Sequence, residues 1–278
     1  MTVVVTSRPA VDRSRWLKAV PFAFVLALAV IAPRIAPQST TTVVGAPSEA
    51  PSAEHLFGTD SFGMDVFSRV LAATRLDIGV GLAVTVLATV AALAIGILTG
   101  MNEHRPGPIG RCARVVGRSI DLVQAVPVMV AGLVLLSFFG RTTTVLVISL
   151  AVILMPMQVR LVRVEVLRVR NETYIDAARM SGLRELQILV RHVLPNSAAP
   201  ALENTSAIFG MAIIFCAGLG FLGVGIPVPT PEWGSMLASG ATDAAVGRWW
   251  AAFFPACALA IAVATGSGFS RALFAKHH

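Results

Sequence analysis

The chain has 278 residues, 55% of them hydrophobic and only 13% charged, where a soluble domain carries roughly 25% charged. With a mean hydropathy of +0.76, this composition belongs to multi-span helical membrane proteins and argues against a soluble enzyme. The net charge of +7 comes from basic residues scattered between apolar runs, so they read as topology signals and not as a nucleic-acid patch.

In chain order, residues 1–15 form a basic tail leading into a short apolar run at 16–32. Pro33, Arg34 and Pro37 occupy the place where a small-residue cleavage site would stand, so 16–36 reads as an uncleaved first span and not a signal peptide. Residues 37–77 form the longest stretch between spans. Pro, Ser, Thr and Ala dominate it to about Ala53, as in a flexible linker. Val66, Phe67, Val70 and Leu71 then recur at helical spacing, which predicts a short amphipathic helix at the membrane surface.

Five further apolar runs follow at 78–100, 119–139, 143–159, 198–225 and 249–269, each fit for a span at about 1.5 Å rise per residue. They predict a five-helix core over 78–272 and a tail at 273–278 that includes His277 and His278. The fold class expected is all-α, with six transmembrane helices. With both termini inside, the inner segments hold seventeen Lys and Arg and the outer segments five, so the positive-inside rule places both termini in the cytosol. No internal repeat is visible, which argues against an inverted-repeat secondary transporter.

The search for chemistry mostly excludes. Cys112, Cys216 and Cys257 show no C-x-x-C spacing and the histidines do not cluster, so neither a metal nor a disulfide framework is expected. The only lysines, Lys18 and Lys276, follow Leu17 and Ala275, so there is no P-loop; H-E-x-x-H and G-x-S-x-G are also missing. No set of nucleophile, base and metal ligands can be assembled, and no cofactor is expected in this chain. Polar groups within the apolar runs carry a functional suspicion by default. Those near the inner ends are Asp121, Gln124, Gln158, Glu203, Asn204 and Thr205. Asp121, Gln158, Glu203, Asn204, Thr205 and Met211 are candidates for a pathway. The alternative is that the polar heads are simply solvated at the interface.

The segment 171–196 is patterned beyond the needs of a connector. Thr173 and Asp176 fit a capping pattern that starts a helix, with Asp176 at its positive end. Ala177 and Ala178 keep that helix slim, and Gly182 stands where a left-handed residue would end it. Leu186, Leu189, Val190, Val193 and Leu194 form an apolar stripe opposite Arg184, Gln187 and Arg191, and Pro195 is expected to close this second helix. The competing reading is a helix pair lying on lipid headgroups.

"YIDAARMSGLRELQILVRHVLPN" resembles the EAA loop of ABC-importer permeases, with Asp176-Ala177-Ala178 for EAA, Gly182 for its glycine and Leu194-Pro195 for the terminal LP. "FGTDSFGMDVFSRVL", "GFLGVGIPVPTPEWGSML" and the pairing of Asp121 with Pro127 narrow the resemblance to the C-type membrane subunit of dipeptide/oligopeptide permeases. It runs in order from about His55 to Ser270. Departures are Asp for the first Glu of EAA, Met64 where Arg is usual, and a C-terminal stretch lacking its usual acidic residues.

The resemblance implies a type I permease fold in a bacterial inner membrane, with a cytosolic coupling helix between spans 4 and 5. It implies that this chain is non-catalytic. The partners implied are a second homologous permease forming a heterodimer, two P-loop ATPase subunits that bind the ATP and Mg, an extracytoplasmic substrate-binding protein, and membrane lipid. Thr173, Asp176, Ala177, Ala178, Gly182, Leu194 and Pro195 would form the ATPase-coupling loop. The cargo implied is a di- or oligopeptide, with nickel, haem or another small solute as family alternatives. The rivals are a proton-coupled transporter using Glu203 or Asp121, and an integral membrane enzyme.

Overall fold

The computed structural model describes residues 13–274, and the regular structure within them is helical apart from one isolated bridge between Thr59 and Asp65. The helices are α1 (Arg13–Ile35), α2 (Val66–Asn102), α3 (Pro108–Val123), α4 (Val128–Phe139), α5 (Thr143–Arg170) and α6 (Thr173–Met180). They continue with α7 (Glu185–Ile188), a π-helical turn (Leu189–Val193), α8 (Leu194–Glu203), α9 (Thr205–Phe221), α10 (Trp233–Ala244) and α11 (Trp250–Phe274). Most of the tails expected at 1–15 and 273–278, including His277 and His278, lies outside the described residues.

The six apolar runs lie on these helices, but not as six straight rods. α2, α5 and the Trp250–Gly268 part of α11 are each long and apolar enough to cross a bilayer. The apolar part of α1 is the shorter stretch Val20–Ala32. The third run is bent by 96° between α3 and α4, and the fifth by 42° between Glu185–Glu203 and α9. α4, at 12 residues, is only about 18 Å long. Hydropathy reports composition and not direction, so neither bend was visible to it.

α2 and α5 form the centre of the bundle. α2 turns a row of small side chains toward α5, including Ala88, Ala92, Gly96 and Gly100, all buried. A Cβ at Gly96 would lie 2.7 Å from Val162 Cβ, and one at Gly100 2.7 Å from Val166 Cγ1. This is the small-xxx-small contact by which helices approach closely in lipid. Gly96→Leu is expected to cost about 1–3 kcal/mol through overpacking, read as a lower Tm in detergent. Gly79→Leu, at a position where a Cβ meets nothing within 4 Å, should leave the Tm unchanged. Equal melting of both variants would refute this account of the interface.

Two expectations for 37–77 are corrected. The composition of a flexible linker conceals a folded segment. Val44 and Gly45 donate their amides to Gly63 O, Ser48 donates to Asp60 O at 2.8 Å, and Thr59 Oγ1 donates to Ala46 O. Long-range contacts hold it down. Arg69 Nη1 donates to Thr40 O at 3.0 Å and to Pro229 O at 3.2 Å, Trp250 Nε1 donates to Thr59 O, and Phe57 stacks on Phe254. The short amphipathic helix is also not separate. Asp65 caps Ser68 N at 2.8 Å and α2 runs unbroken from Val66, with Val66 and Val70 buried beside Trp233 and Met236. The apolar face read as lipid-facing packs against α10 and the start of α11 instead.

Candidate functional site

The segment 171–196 stands on a braced base. Arg163 pairs both arms of its guanidinium with Glu103 at 2.9 Å, just past the end of α2, and its Nη1 lies 3.8 Å from Asp121. This partner holds the Glu103 carboxyl below the usual carboxylate range. Arg170 Nη1 donates to Gly100 O and Met101 O, tying the end of α5 to the end of α2. Val166, Val169, Ile175, Ile188 and Val193 close a buried cluster above these links. The loop therefore moves with α2 and α5 and not as a free tether.

α6 begins one residue earlier than its sequence pattern implies. Glu172 is the N-cap residue and makes no side-chain capping bond, so Thr173 is the first helical residue and not the cap. Ile175 is fully buried, whereas Thr173, Asp176, Ala177 and Met180 are exposed. Gly182 has φ +79 and its amide donates to Arg179 O at 3.0 Å, a left-handed end that strains any side chain. Arg179 reaches across the turn, pairing with Asp176 at 3.0 Å and with Glu185 at 3.1 Å. These pairs are exposed and add little stability; the Arg179–Glu185 pair is the one that spans the Gly182 turn.

Pro195 does not end the second helix. The π-helical turn at Leu189–Val193 inserts an extra residue per turn, and the helix continues through Pro195 in the first turn of α8. That shift divides the predicted stripe. Val193 is buried and Leu189 and Leu194 are partly covered, while Leu186 is 70% exposed and Val190 54% exposed. Ile188, outside the stripe, takes a core position. With Met180 at 84% exposure, Leu186 and Val190 present apolar surface around the Gly182 turn that none of the described residues covers. Met180 was missed because sequence alone does not fix which face of an eight-residue helix turns inward. Its place two residues before Gly182 was the available signal.

The pathway candidates fall in separate surroundings. Gln158 is fully buried; its Nε2 donates to Thr89 Oγ1 at 3.4 Å and Ala201 O at 3.2 Å, and its Oε1 accepts from Asn204 Nδ2 at 3.0 Å. Gln158 and Asn204 are thus brought together, holding α2, α5 and α8 at the 42° break. Thr205 Oγ1 donates to Leu202 O in the same break. Asp121 is half exposed near Arg163. Glu203 borders a polar pocket of about 450 Å³ with Glu165, Arg168, Glu172 and Asn196. Met211 alone of the six lines an apolar groove of about 500 Å³ between the α3–α4 bend, α5 and α9, together with Gln124, Met157 and Phe215.

Sequence reading also missed a buried trio. Oxygen and sulfur atoms of Asp77, Cys216 and Glu232 lie within 4.8 Å of one another. Hydrogen bonds account for the arrangement. Asp77 accepts from Trp233 N at 3.0 Å and faces Cys216 Sγ at 3.7 Å, and Glu232 accepts from Gly234 N and Ser235 N to cap α10. Burial pushes the Glu232 carboxyl up to about 7. The three are too distant in sequence to signal one another.

Nothing in the 171–196 segment pairs a nucleophile with a base. What it offers is a shaped, charged and partly apolar surface on a rigid mount, suited to recognising another protein. Residues 92–276 match the family described as binding-protein-dependent transport system inner membrane component. A putative peptide transport system permease protein of Brucella suis is 34% identical over 261 residues, covering 93% of this chain and 86% of that protein. The dipeptide transport system permease protein DppC of Escherichia coli K12 is 34% identical over 246 residues, 86% of this chain and 80% of that protein. Among solved structures, the inward-facing MetNI methionine ABC transporter superposes with a TM-score of 0.60 at 17% identity, covering 75% of this chain and 97% of that one. A crystal structure of an amino acid ABC transporter with histidines gives 0.56 at 15% identity, covering 75% and 92%.

Proposed function

The chain belongs to the family of binding-protein-dependent transport system inner membrane components, and from that premise we propose how it works and with whom. It is a membrane permease subunit of an ABC importer, with the all-α type I fold. Its cargo is a di- or oligopeptide, a reading supported by the names of relatives that align with most of its length. It pairs with a second, homologous permease. Two P-loop ATPase subunits, which bind ATP and Mg, sit against its cytosolic face, and an extracytoplasmic binding protein delivers the peptide. Both termini are cytosolic, on the strength of the seventeen-to-five division of basic residues.

The observation that carries the coupling role is the exposed surface of Asp176, Ala177 and Met180 beside the left-handed Gly182. α6 is the helix that seats in a cleft of one ATPase. Asp176 and Ala177 are free to meet that cleft, and the Arg163–Glu103 and Arg170 anchors pass its displacement to α2 and α5. ATP-driven closure of the ATPases favours one packing of the spans over the other through differential contacts.

The test is purification of this chain at native expression, with affinity tags on the products of neighbouring reading frames. The expected outcome is a complex holding a second permease and P-loop ATPases, with ATP hydrolysis stimulated by peptide-loaded binding protein. Peptide transport by the isolated chain, driven by a proton gradient, would overturn the assignment.

A further inference from the structure

A second surface lies far from the coupling segment, between α1 and α2. A cavity of about 700 Å³ is lined by Arg34 and Arg75 together with Leu26, Val30, Gly79 and Leu82. Both arginines are exposed, and neither makes an ion pair or hydrogen bond among the described residues. The two helices run in opposite directions, yet the lining is ordered alike on each. Arg34 lies in the last turn of α1 and Arg75 nine residues into α2, so both sit toward the 36–65 segment. Leu26 and Leu82 lie farther along, about 10–12 Å deeper at 1.5 Å per residue. Beyond Leu82 the exposed Val86 and Val90 continue the apolar strip along α2.

We propose that this groove binds an anionic phospholipid, with its phosphate between Arg34 and Arg75 and an acyl chain along Val30, Leu26 and Leu82. Two guanidinium groups sharing a groove without a counter-charge repel each other, and a phosphate relieves that repulsion while matching their forked donors. The apolar continuation selects a lipid over a free anion. A Cβ on Gly79 meets nothing within 4 Å, so this glycine keeps the floor of the groove open. The inference rests on the membrane placement alone and is independent of cargo and ATPase coupling.

The experiment uses the assembled transporter in nanodiscs, labelled with photo-crosslinkable phosphatidylglycerol or phosphatidylcholine, and reads adducts on the Gly79–Leu82 stretch by mass spectrometry. At about 1 kcal/mol per arginine, phosphatidylglycerol should label roughly 10- to 30-fold more than phosphatidylcholine. Arg34→Gln with Arg75→Gln should reduce its labelling to the phosphatidylcholine level. Gly79→Leu should block both lipids, and Arg141→Gln, outside the groove, should change neither. Equal labelling by the two lipids, or undiminished phosphatidylglycerol labelling of the double variant, would overturn the proposal.

Discussion

Uptake by the assembled transporter is expected to fall to background when Gly182 is replaced by proline, with the chain still in the membrane and the ATPases still turning over. Proline is fixed near φ −65°, whereas Gly182 sits at +79 and donates its amide to Arg179 O. The substitution removes that bond and forces the α6–α7 turn into another direction, so the exposed face of α6 no longer meets the ATPase proposed as its partner. Gly182→Ala should be milder, since one left-handed alanine costs about 1 kcal/mol. Asp176→Arg tests the same surface without touching the backbone. Asp176 is exposed and its pair with Arg179 contributes little to the fold. In the proposed seating of α6 against an ATPase cleft, however, exchanging this exposed carboxylate for an arginine should reduce coupled uptake about tenfold or more. ATP hydrolysis and uptake measured side by side decide the matter: wild-type uptake in both Gly182→Pro and Asp176→Arg removes the coupling role from α6.

The sequence was readable wherever a local rule governs the outcome. Gly182 reads as a left-handed helix end and has that conformation, because nothing beyond the turn itself demands it. The apolar runs were visible because lipid imposes composition on every span. Long-range partners were not visible. The Pro- and Ser-rich stretch after Pro37 looks unstructured until Arg69, Trp250 and Phe254 supply its contacts from up to about two hundred residues away. Pro195 follows the usual rule for a terminator only if the preceding turn is α-helical, and the π-helical turn at Leu189–Val193 removes that condition. At the site, the order of Asp176, Ala177, Ala178 and Gly182 was legible. The apolar surface of Met180, Leu186 and Val190 was not, since a local pattern fixes neither which face of α6 turns inward nor how the π-helical turn divides the stripe beside it.

The bend at Asn204 makes the second large prediction. A span bent by 42° leaves backbone groups to be satisfied inside the protein, and Gln158 reaches this site from α5. Its amide bonds to Thr89, Ala201 and Asn204 join three helices, including the one that rises directly from the coupling segment. Gln158→Leu keeps the volume but strands the Asn204 amide, and is expected to cost about 2 kcal/mol, read as a Tm lower by roughly 4–8 °C. Since α8 would no longer be fixed to α5, uptake should fall further than ATP hydrolysis. Asn204→Ala alone should show a smaller loss. If the two side chains act through their shared 3.0 Å bond, the double variant will be less destabilised than the sum of the single ones, by about 0.6–1.7 kcal/mol. Strict additivity would mean that the Gln158–Asn204 bond adds nothing of its own. Coupling in the cycle, together with the split between uptake and hydrolysis, would identify this buried amide as the joint through which movement of α6 reaches the spans.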